Sequence, residues 1–353
     1  MQEIIYTNHV EEAIDSAVER LHPTNVVVLV DSNTSEAVLP RMQAESKAVA
    51  GAKVIETRPG DENKGINSLT HIWTELSESG CTRQSLLINL GGGVVTDMGA
   101  FAAATFKRGI LFINVPTTLL SAVDAAVGGK TGINFNGFKN EIGAFREADL
   151  VIISTTFFKT LNHTELLSGY AEMLKHALIS SEAQYRRLLA FDVTSQDWDS
   201  LLELLRDSVE VKRGIVKADP TEHGIRRALN FGHTAGHAFE ELSLDRKSAI
   251  PHGYAVAFGM IVELVLSNME AGFPSGELHR YAQYVREHYG TFAISCRDYD
   301  RLIEFMRHDK KNVSPDAINF TLLSGVGAAE TDHTVAPDMI KAALDIYCDL
   351  LGL

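Results

Sequence analysis

Hydrophobic positions in the first part of the chain fall into short, unbroken runs separated by segments with helical spacing. The unbroken runs span residues 26–30, 85–90, 111–115 and 150–153. Continuous runs, rather than alternating ones, indicate strands that are buried on both faces of a sheet. Apolar residues recur at helical spacing between them, over residues 66–76 and 98–106. This repeated order predicts a Rossmann-like, doubly wound parallel sheet of the α/β class.

The pattern changes after about residue 160. Helical spacing then dominates, over residues 201–211, 255–266, 299–306 and 339–351. Only residues 318–323 have the pattern of a strand. We therefore predict an α/β domain over residues 1–160 and a mainly α-helical domain over residues 161–353.

Composition limits the function classes. The 353 residues, 45% hydrophobic and 22% charged, are typical of globular domains, and the net charge of −14 disfavours binding to nucleic acid or to an anionic membrane. Three separate cysteines indicate neither a disulfide framework nor a thiolate zinc site. The N-terminus lacks a signal-peptide pattern, and the longest apolar segment, residues 255–266, is too short to span a bilayer. We expect a cytoplasmic protein with a small-molecule ligand.

A glycine run follows the second predicted strand. Gly91, Gly92 and Gly93 stand where glycines let backbone amides approach a pyrophosphate at a helix N-terminus. The spacing differs from GxGxxG, so nucleotide binding and a plain strand-to-helix turn are equally compatible with it. Thr117 and Thr118 end the next strand at the same edge of the sheet, which favours a ligand there.

A second glycine segment resembles part of a P-loop. Residues 124–131 end in Gly-Gly-Lys-Thr, but Asp124 stands where a P-loop has its first glycine, which disfavours a nucleotide kinase. Lys130, Lys139 and Asn140 still offer donors suited to a phosphate on a small molecule. A solvated loop with incidental lysines is the alternative.

Three histidines and a glutamate form the strongest candidate site. His233 and His237 are four residues apart, so they share one face of a helix. Glu172 and Lys175 lie in an apolar helical segment, either as an internal ion pair or as a metal ligand beside a substrate-binding lysine. With His252, Glu172 and His233 would complete a two-histidine, one-carboxylate set typical of catalytic zinc. His237 remains for acid–base work or phosphate contact.

Glycines flank these histidines. Gly232 and Gly236 would each destabilise a helix interior by about 1 kcal/mol, so a close approach of metal, ligand or backbone should account for them. We interpret them as room for a substrate.

A basic segment, residues 212–230, leads into the histidine motif. Arg226 precedes Asn230 by four residues, so a helix there would place both side chains on one face, as anion binding requires. This segment and residues 309–312 are equally compatible with solvated surface.

In their order along the chain, from about Arg58 to Lys311, these motifs resemble the 3-dehydroquinate synthases of the sugar-phosphate cyclase superfamily. The resemblance implies catalytic NAD⁺, a divalent metal ion (Zn²⁺ or Co²⁺) and conversion of 3-deoxy-D-arabino-heptulosonate 7-phosphate to 3-dehydroquinate and phosphate. The implied steps are transient oxidation by NAD⁺, elimination of phosphate, reduction and intramolecular aldol closure. This reaction belongs to the shikimate route to aromatic amino acids.

The resemblance also implies site residues. The metal ligands would be Glu172, His233 and His252. Residues at or beside the reacting end of the substrate would be Asp124, Lys175, Glu222 and His237. The substrate carboxylate would be bound by Lys212 and Arg226, and the phosphate by Lys130, Asn140, Asn230 and Lys310. Arg108 corresponds to an arginine supplied across a dimer interface, which implies a homodimer. The NAD-binding residues would be Asp31, Asp61, Lys64, Gly92, Gly93, Asp97, Thr117, Thr118, Lys139 and Thr160.

The chain departs from the commoner family pattern at several positions. Asp61 stands where many members have Glu, Ala235 replaces a larger residue, and Tyr254 replaces a Glu after the second His-Gly. About three extra residues precede His252. None of these changes removes an expected metal ligand.

Three other functions compete with this interpretation. A related cyclase would make an inosose or a valiolone, but the pair Lys212 and Arg226 favours a substrate that carries a carboxylate. A metal-dependent alcohol or glycerol-phosphate dehydrogenase would release NADH. A scaffold protein would have no use for Lys130, Lys175 and Arg226 in segments suited to burial.

Overall fold

The computed structural model describes residues 2–307 and 318–353. The chain divides into two compact units, the first formed by Met1–Asn162 and Gln196–Val209, and the second by His163–Ser195 and Glu210–Leu353. The first division point lies close to the predicted boundary, but residues 196–209 belong to the first unit rather than the second. Lys310 and the rest of the predicted anion-binding segment 309–312 lie outside the described residues.

Within the described residues, the first unit contains a six-stranded parallel sheet and a separate two-stranded hairpin. Its strands are β1 (Ile4–Tyr6), β2 (Val26–Asp31), β3 (Lys53–Thr57), β4 (Leu86–Gly91), β5 (Leu111–Pro116), β6 (Lys130–Phe135), β7 (Phe138–Phe145) and β8 (Leu150–Ile153). The order across the sheet is β1-β8-β5-β4-β2-β3. The four strands predicted from sequence are β2, β4, β5 and β8, and the predicted fold class is confirmed.

Helices connect the strands of the sheet. They are α1 (Val10–Leu21), α2 (Ser32–Ala37), α3 (Leu39–Glu45), α4 (Lys47–Ala50), α5 (Ile66–Glu78) and α6 (Gly93–Thr105). Helix α1 buries Val10, Ile14 and Ala17, which recur every three or four residues, in a core shared with Val28 and Ile88 of the sheet. Burial on both faces explains why these strands are uniformly apolar.

The hairpin β6–β7 was not predicted. Its turn is Asn136-Gly137, with φ of 52° and 84°, the backbone that a two-residue hairpin turn of type I′ requires. Residues 130 and 131, for which a solvated loop was one alternative, therefore begin a strand. Asn-Gly between two apolar segments is the signal that could have revealed the hairpin.

The second unit is mainly helical, as predicted. Its helices are α7 (His163–Leu178), α8 (Glu182–Ala190), part of α9 (Trp198–Ala218), α10 (His233–Asp245), α11 (His252–Glu270), α12 (Ser275–His288), α13 (Tyr299–Arg307) and α14 (Pro337–Leu351). Strands β9 (Ile318–Gly325) and β10 (Ala328–Val335) pair as an antiparallel hairpin. The expectation of a single strand in this half was wrong, because the exposed, polar β10 has no apolar run.

Helix α11 lies at the centre of the second unit. At 19 residues it is longer than the segment 255–266 predicted, and among residues 2–307 and 318–353 it alone is long and apolar enough to cross a membrane by length and composition. However, 78% of its most apolar window is buried within the protein. Its apolar side chains are therefore covered by neighbouring parts of the chain.

Candidate functional site

Three predicted metal ligands converge in the second unit. Glu172 comes from the middle of α7, while His233 and His252 are the first residues of α10 and α11. Glu172 Oε1 lies 3.4 Å from His233 Nε2 and 3.8 Å from His252 Nε2. A tetrahedral ion with bonds of about 2.1 Å separates its ligand atoms by roughly 3.4 Å, so the spacing fits an ion such as Zn²⁺.

The state of the Glu172 carboxylate supports this assignment. The side chain is 1% exposed, and Oε2 accepts a hydrogen bond from Lys175 Nζ. Oε1, however, is buried and accepts no hydrogen bond within the described part of the chain. A buried carboxylate oxygen normally has a partner, and a cation held with the two histidines would supply it. The sequence left two alternatives for Glu172, an internal ion pair with Lys175 or a metal ligand. The structure contains the ion pair and also places Glu172 Oε1 where a ligand atom would lie.

Hydrogen bonds on the far side of each imidazole fix its orientation. His233 Nδ1 lies 3.1 Å from the carbonyl oxygen of Phe231, and His252 Nδ1 lies 3.3 Å from Glu240 Oε2. An oxygen acceptor at Nδ1 keeps the proton there and leaves the Nε2 lone pair for a metal. Glu240 was not identified from sequence, although it follows His233 by two helical turns.

His237 lies beside these ligands and is exposed. Its ring centroid is 5.3 Å from that of His233 and 5.9 Å from that of His252. Of these four side chains, Glu172, His233 and His252 have ligand atoms within 4.8 Å of one another, and His237 does not join that group. The position of His237 fits an acid–base or phosphate-binding role.

The flanking glycines do not make room for a substrate, so that interpretation was wrong. A Cβ atom at Gly232 would lie 2.3 Å from Met260 Cγ and 3.1 Å from the carbonyl oxygen of Val256, and one at Gly236 would lie 3.0 Å from the carbonyl oxygen of Ala255. Both glycines face α11, and Gly232 also has φ of +80°, which disfavours other residues. They are needed because the backbones of α10 and α11 approach closely.

A similar contact aligns α7 with α11. A Cβ atom at Gly253 would lie only 1.9 Å from the carbonyl oxygen of Ser168, so no side chain fits there. The Gly253 amide donates a hydrogen bond to Ser168 Oγ over 3.1 Å. Gly253 follows His252, and Ser168 precedes Glu172 by one helical turn. The tight crossing therefore brings Glu172 next to His252.

The basic segment before α10 is folded inward. Residues Ile225–Asn230 form a 3-10 helix, and Arg226 is only 2% exposed, with Nη1 donating to the carbonyl oxygen of Pro220 over 2.6 Å. Lys212 is 6% exposed. The solvated-surface alternative is therefore wrong for both cations. Asn230 Nδ2 donates to Glu222 Oε1 over 2.9 Å, which brings two further predicted site residues together.

Asp219, not identified from sequence, organises the turn of this segment. Its carboxylate accepts from the amides of His223, Gly224 and Arg226 at 3.0, 2.6 and 3.1 Å. Desolvation raises the pKa of the Asp219 carboxyl, but the backbone hydrogen bonds outweigh it and the pKa is lowered. The bonds hold a turn in which Glu222 has φ of 63°.

The first unit places the predicted glycine and threonine residues at one edge of its sheet. Gly91 and Pro116 pair at the carboxyl ends of β4 and β5, and the Thr117 amide donates to the carbonyl oxygen of Gly91 over 2.9 Å. Gly92 is the N-cap of α6, and no side chain in the described chain caps this 13-residue helix. The amides of its first turn therefore offer donors that suit a pyrophosphate.

A lysine joins several predicted residues near this edge. Lys64 Nζ lies 2.6 Å from Asp97 Oδ2 and 2.5 Å from Asn140 Oδ1. Lys139 Nζ lies 3.5 Å from Asp61 Oδ2. Four residues that were predicted to bind NAD thus form two pairs, Lys64 with Asp97 and Lys139 with Asp61. Lys64 also contacts Asn140, which was predicted to bind the substrate phosphate.

Local structure accounts for other predicted NAD residues. Asp31 Oδ1 accepts from the amide of Thr34 over 2.8 Å and caps α2. Thr160 Oγ1 donates to the carbonyl oxygen of Phe157 over 2.7 Å, and Thr118 Oγ1 accepts from the Ser121 amide over 3.1 Å. The NAD-binding roles of these residues stay predictions.

Three predicted residues of the first unit lie outside these clusters. Asp124 falls in the π-helical turn Ser121–Ala125, and Lys130 is the exposed first residue of β6. Arg108 ends the 3-10 helix Phe106–Arg108 and is exposed, with φ of 67°.

Solved structures share this fold. A 2-deoxy-scyllo-inosose synthase complexed with carbaglucose-6-phosphate, NAD⁺ and Co²⁺ is 23% identical, with a TM-score of 0.85 over 97% of this chain and 95% of that one. A 2-epi-5-epi-valiolone synthase from Streptomyces hygroscopicus subsp. jinggangensis, with NAD⁺ and Zn²⁺ bound, is 22% identical, with a TM-score of 0.84 over 99% of this chain and 97% of that one. At such identities the likeness concerns the fold alone.

Sequence comparison is more specific. Residues 54–168 match the family model for the 3-dehydroquinate synthase N-terminal region, and residues 169–312 match that for the C-terminal region. A 3-dehydroquinate synthase from Parabacteroides distasonis is 47% identical over 352 residues, which cover 100% of this chain and 99% of the relative. This chain belongs to the 3-dehydroquinate synthase family.

Proposed function

We propose that the protein converts 3-deoxy-D-arabino-heptulosonate 7-phosphate to 3-dehydroquinate and phosphate. The observation that carries this choice within the superfamily is the burial of Arg226 and Lys212. Two buried cations in one basic segment suit a substrate with a carboxylate, which the sugar phosphates converted to inososes or valiolones lack. The 47% identity over the whole chain to a relative with this name supports the same substrate.

We propose that Glu172, His233 and His252 hold a divalent metal ion, Zn²⁺ or Co²⁺. Such an ion, when bound, withdraws electron density from a substrate oxygen and lowers the pKa of its hydroxyl. Lys175 donates to Glu172 Oε2, which leaves Oε1 aimed at the two histidines. The solved inosose and valiolone synthases, which hold Co²⁺ and Zn²⁺, support the class of ion.

The first unit would bind NAD⁺ at the carboxyl edge of its sheet. NAD⁺, when bound, accepts a hydride from the substrate and returns it later, so no net NADH forms. The N-terminus of α6 offers backbone amides to the pyrophosphate, and Gly92 and Gly93 carry no side chain that would cover them. Lys64, Asp97 and Asn140 form the polar cluster beside it.

The remaining side chains would position substrate and move protons. A guanidinium fork at Arg226 can bind a carboxylate through two hydrogen bonds, with Lys212 as a second cation. His237 presents an exposed ring beside the metal ligands, where a ring nitrogen can exchange a proton with the substrate or its phosphate. Lys130 and Asn140 would bind the phosphate, and Asp124 and Glu222 would support the reacting end.

The proposal is tested by measuring phosphate release from the heptulosonate phosphate with and without NAD⁺ and a chelator. We expect release to require both NAD⁺ and metal, to yield one 3-dehydroquinate per phosphate, and to leave no NADH absorbance. Net accumulation of NADH would contradict the cyclase and favour a dehydrogenase. Turnover of a carboxylate-free sugar phosphate such as glucose 6-phosphate would contradict the proposed substrate.

We further propose a cytoplasmic homodimer in which Arg108 completes the site of the partner. Arg108 is exposed, and its positive φ fixes the direction of the turn that carries it. Mixing inactive Arg108→Ala with inactive His252→Ala protein should restore up to about a quarter of wild-type activity, because half of the dimers are mixed and each mixed dimer has one intact site. No recovery after verified subunit exchange would contradict the trans role.

A further inference from the structure

Two carboxylates outside the metal set contact the helices that carry its histidines. Glu240 lies on α10, and Glu263 lies on α11. Glu240 Oε2 is 3.3 Å from His252 Nδ1 on the other helix. Glu263 Oε2 accepts from the Gly232 amide over 2.7 Å, and its Oε1 accepts from the Ala235 amide over 3.2 Å. Each helix therefore offers one carboxylate to its neighbour.

Glu263 meets a specific need at the start of α10. The N-cap of this helix is Gly232, which has no side chain to accept a bond from the first-turn amides. Glu263 is fully buried, and a buried carboxylate is costly unless it is hydrogen-bonded. Its bonds to the amides on both sides of His233 offset that cost, and the helix dipole adds to the attraction. Glu263 thus fixes the backbone from which the His233 ring extends.

The spacing along each helix places ligand and carboxylate on one face. Glu240 follows His233 by seven residues, and Glu263 follows His252 by eleven. At about 100° per residue, both spacings return to within about 20° of the starting direction. The same face of α11 carries Gly259, whose missing side chain lets the backbones of α10 and α11 approach.

We propose that Glu240 and Glu263 are positioning residues that brace the two histidine ligands reciprocally. Glu240 of α10 orients the ring of His252 on α11, and Glu263 of α11 holds the backbone of His233 on α10. Neither carboxylate belongs to the ligand set. The inference rests on the proposed metal site, and its consequence is a pre-formed site in which the two ligands depend on each other's helix.

The test measures metal binding directly. Full-length wild type and the variants Glu240→Ala and Glu263→Gln are loaded with Zn²⁺ or Co²⁺, and the dissociation constant is measured by competition with a chromophoric chelator. Loss of an outer partner of a ligand typically weakens metal binding by about 10–100-fold, and we expect this from each variant. The visible bands of bound Co²⁺ should also change, because the histidines no longer hold one geometry. Glu240→Gln, which keeps an oxygen acceptor, should recover part of the lost affinity.

Two control variants separate positioning from general stability. Glu241→Ala removes an exposed carboxylate next to Glu240, and Val265→Ala removes buried apolar volume from α11. We expect the metal dissociation constants of both variants to stay within about twofold of the wild-type value. This should hold even if Val265→Ala lowers the free energy of unfolding as much as Glu263→Gln does. An unchanged dissociation constant and Co²⁺ spectrum in either carboxylate variant would overturn the reciprocal brace, and so would an equal loss of affinity in Val265→Ala. A wild type that binds one metal ion but does not convert the heptulosonate phosphate would refute the proposed function alone.

Discussion

A Cβ atom at Gly259 would lie 2.2 Å from the carbonyl oxygen of Gly232, a distance at which no side chain can be accommodated without moving backbone. Gly259 lies in α11 and Gly232 caps α10, and these helices begin with His252 and His233. The separation of the two candidate ligands therefore depends on Gly259, a residue that has no functional group. Packing of backbone against backbone sets the geometry of the candidate metal centre.

Replacing Gly259 with Ala should separate α10 from α11. We expect a loss of roughly 1–3 kcal/mol in the free energy of unfolding, together with weaker metal binding. Denaturant unfolding and chelator competition measure the two effects. Gly276→Ala is the matched control, since a Cβ atom at this helical position would meet nothing within 4 Å among residues 2–307 and 318–353. A tolerated Gly259→Ala would contradict the importance of the close approach.

Replacing His252 with Ala should abolish stoichiometric metal and turnover. The Nε2 atom that lies 3.8 Å from Glu172 Oε1 is lost, and two ligands alone hold an ion weakly. Metal content after gel filtration and phosphate release are the measurements. His279→Ala, at an exposed position on α12, should keep both. Full activity with bound metal in the His252 variant would exclude this residue as a ligand.

Replacing Arg226 with Lys should raise the substrate KM by about 10–100-fold while NAD⁺ affinity stays unchanged. A bidentate guanidinium becomes a point charge, and a hydrogen bond to a charged group is worth about 1.5–3 kcal/mol. Steady-state kinetics and NAD⁺ titration distinguish the two ligands. Arg227→Lys is the neighbouring control, because the Arg227 side chain forms a partly exposed ion pair with Asp332. If NAD⁺ affinity alone changed, the assignment of Arg226 to substrate would be wrong.

Asp219 should titrate below the ordinary aspartate pKa of about 3.9. Its charged form is favoured in the folded protein, so its contribution to stability is complete above the unfolded-state pKa and is lost as the pH falls through the lowered folded-state pKa. Carbon-13 NMR of the carboxyl group measures this directly. An ordinary or raised value would contradict the bonded turn.

The variant Asp219→Asn should loosen the turn that carries Glu222 and Arg226, because an uncharged amide oxygen accepts backbone hydrogen bonds more weakly. We expect the substrate KM to rise more than kcat falls. Asp192→Asn is the control, since Asp192 also accepts a hydrogen bond from a backbone amide, that of Thr194. The pKa of Asp192 is likewise lowered, chiefly by hydrogen bonds from the side chain and the amide of Thr194. Equal effects of the two variants on KM would point to a general loss of stability.

The sequence predicted the central strands of the parallel sheet well, because strands buried on both faces have unbroken apolar runs, as in β2 and β4. The strands that were not predicted have no such runs or are very short. Strand β1 has only three residues, β3 and β6 each begin with an exposed lysine and are buried over only part of their length, β7 is almost wholly exposed, and β10 is polar and alternates exposed with half-buried positions. Such strands are held by pairing with a neighbour, which a local pattern of hydrophobicity does not report.

The sequence by itself determined which chemistry this protein carries. Glu172, His233 and His252 have side chains suited to a divalent metal, and the order of the motifs identified the family. Only the tertiary structure decided how these groups are held. Gly232 and Gly236 proved to serve helix packing, and Glu240 and Glu263 proved to contact the helix opposite their own. The reason is physical: ligand identity depends on side-chain atoms, whereas ligand geometry depends on contacts between residues far apart in the chain.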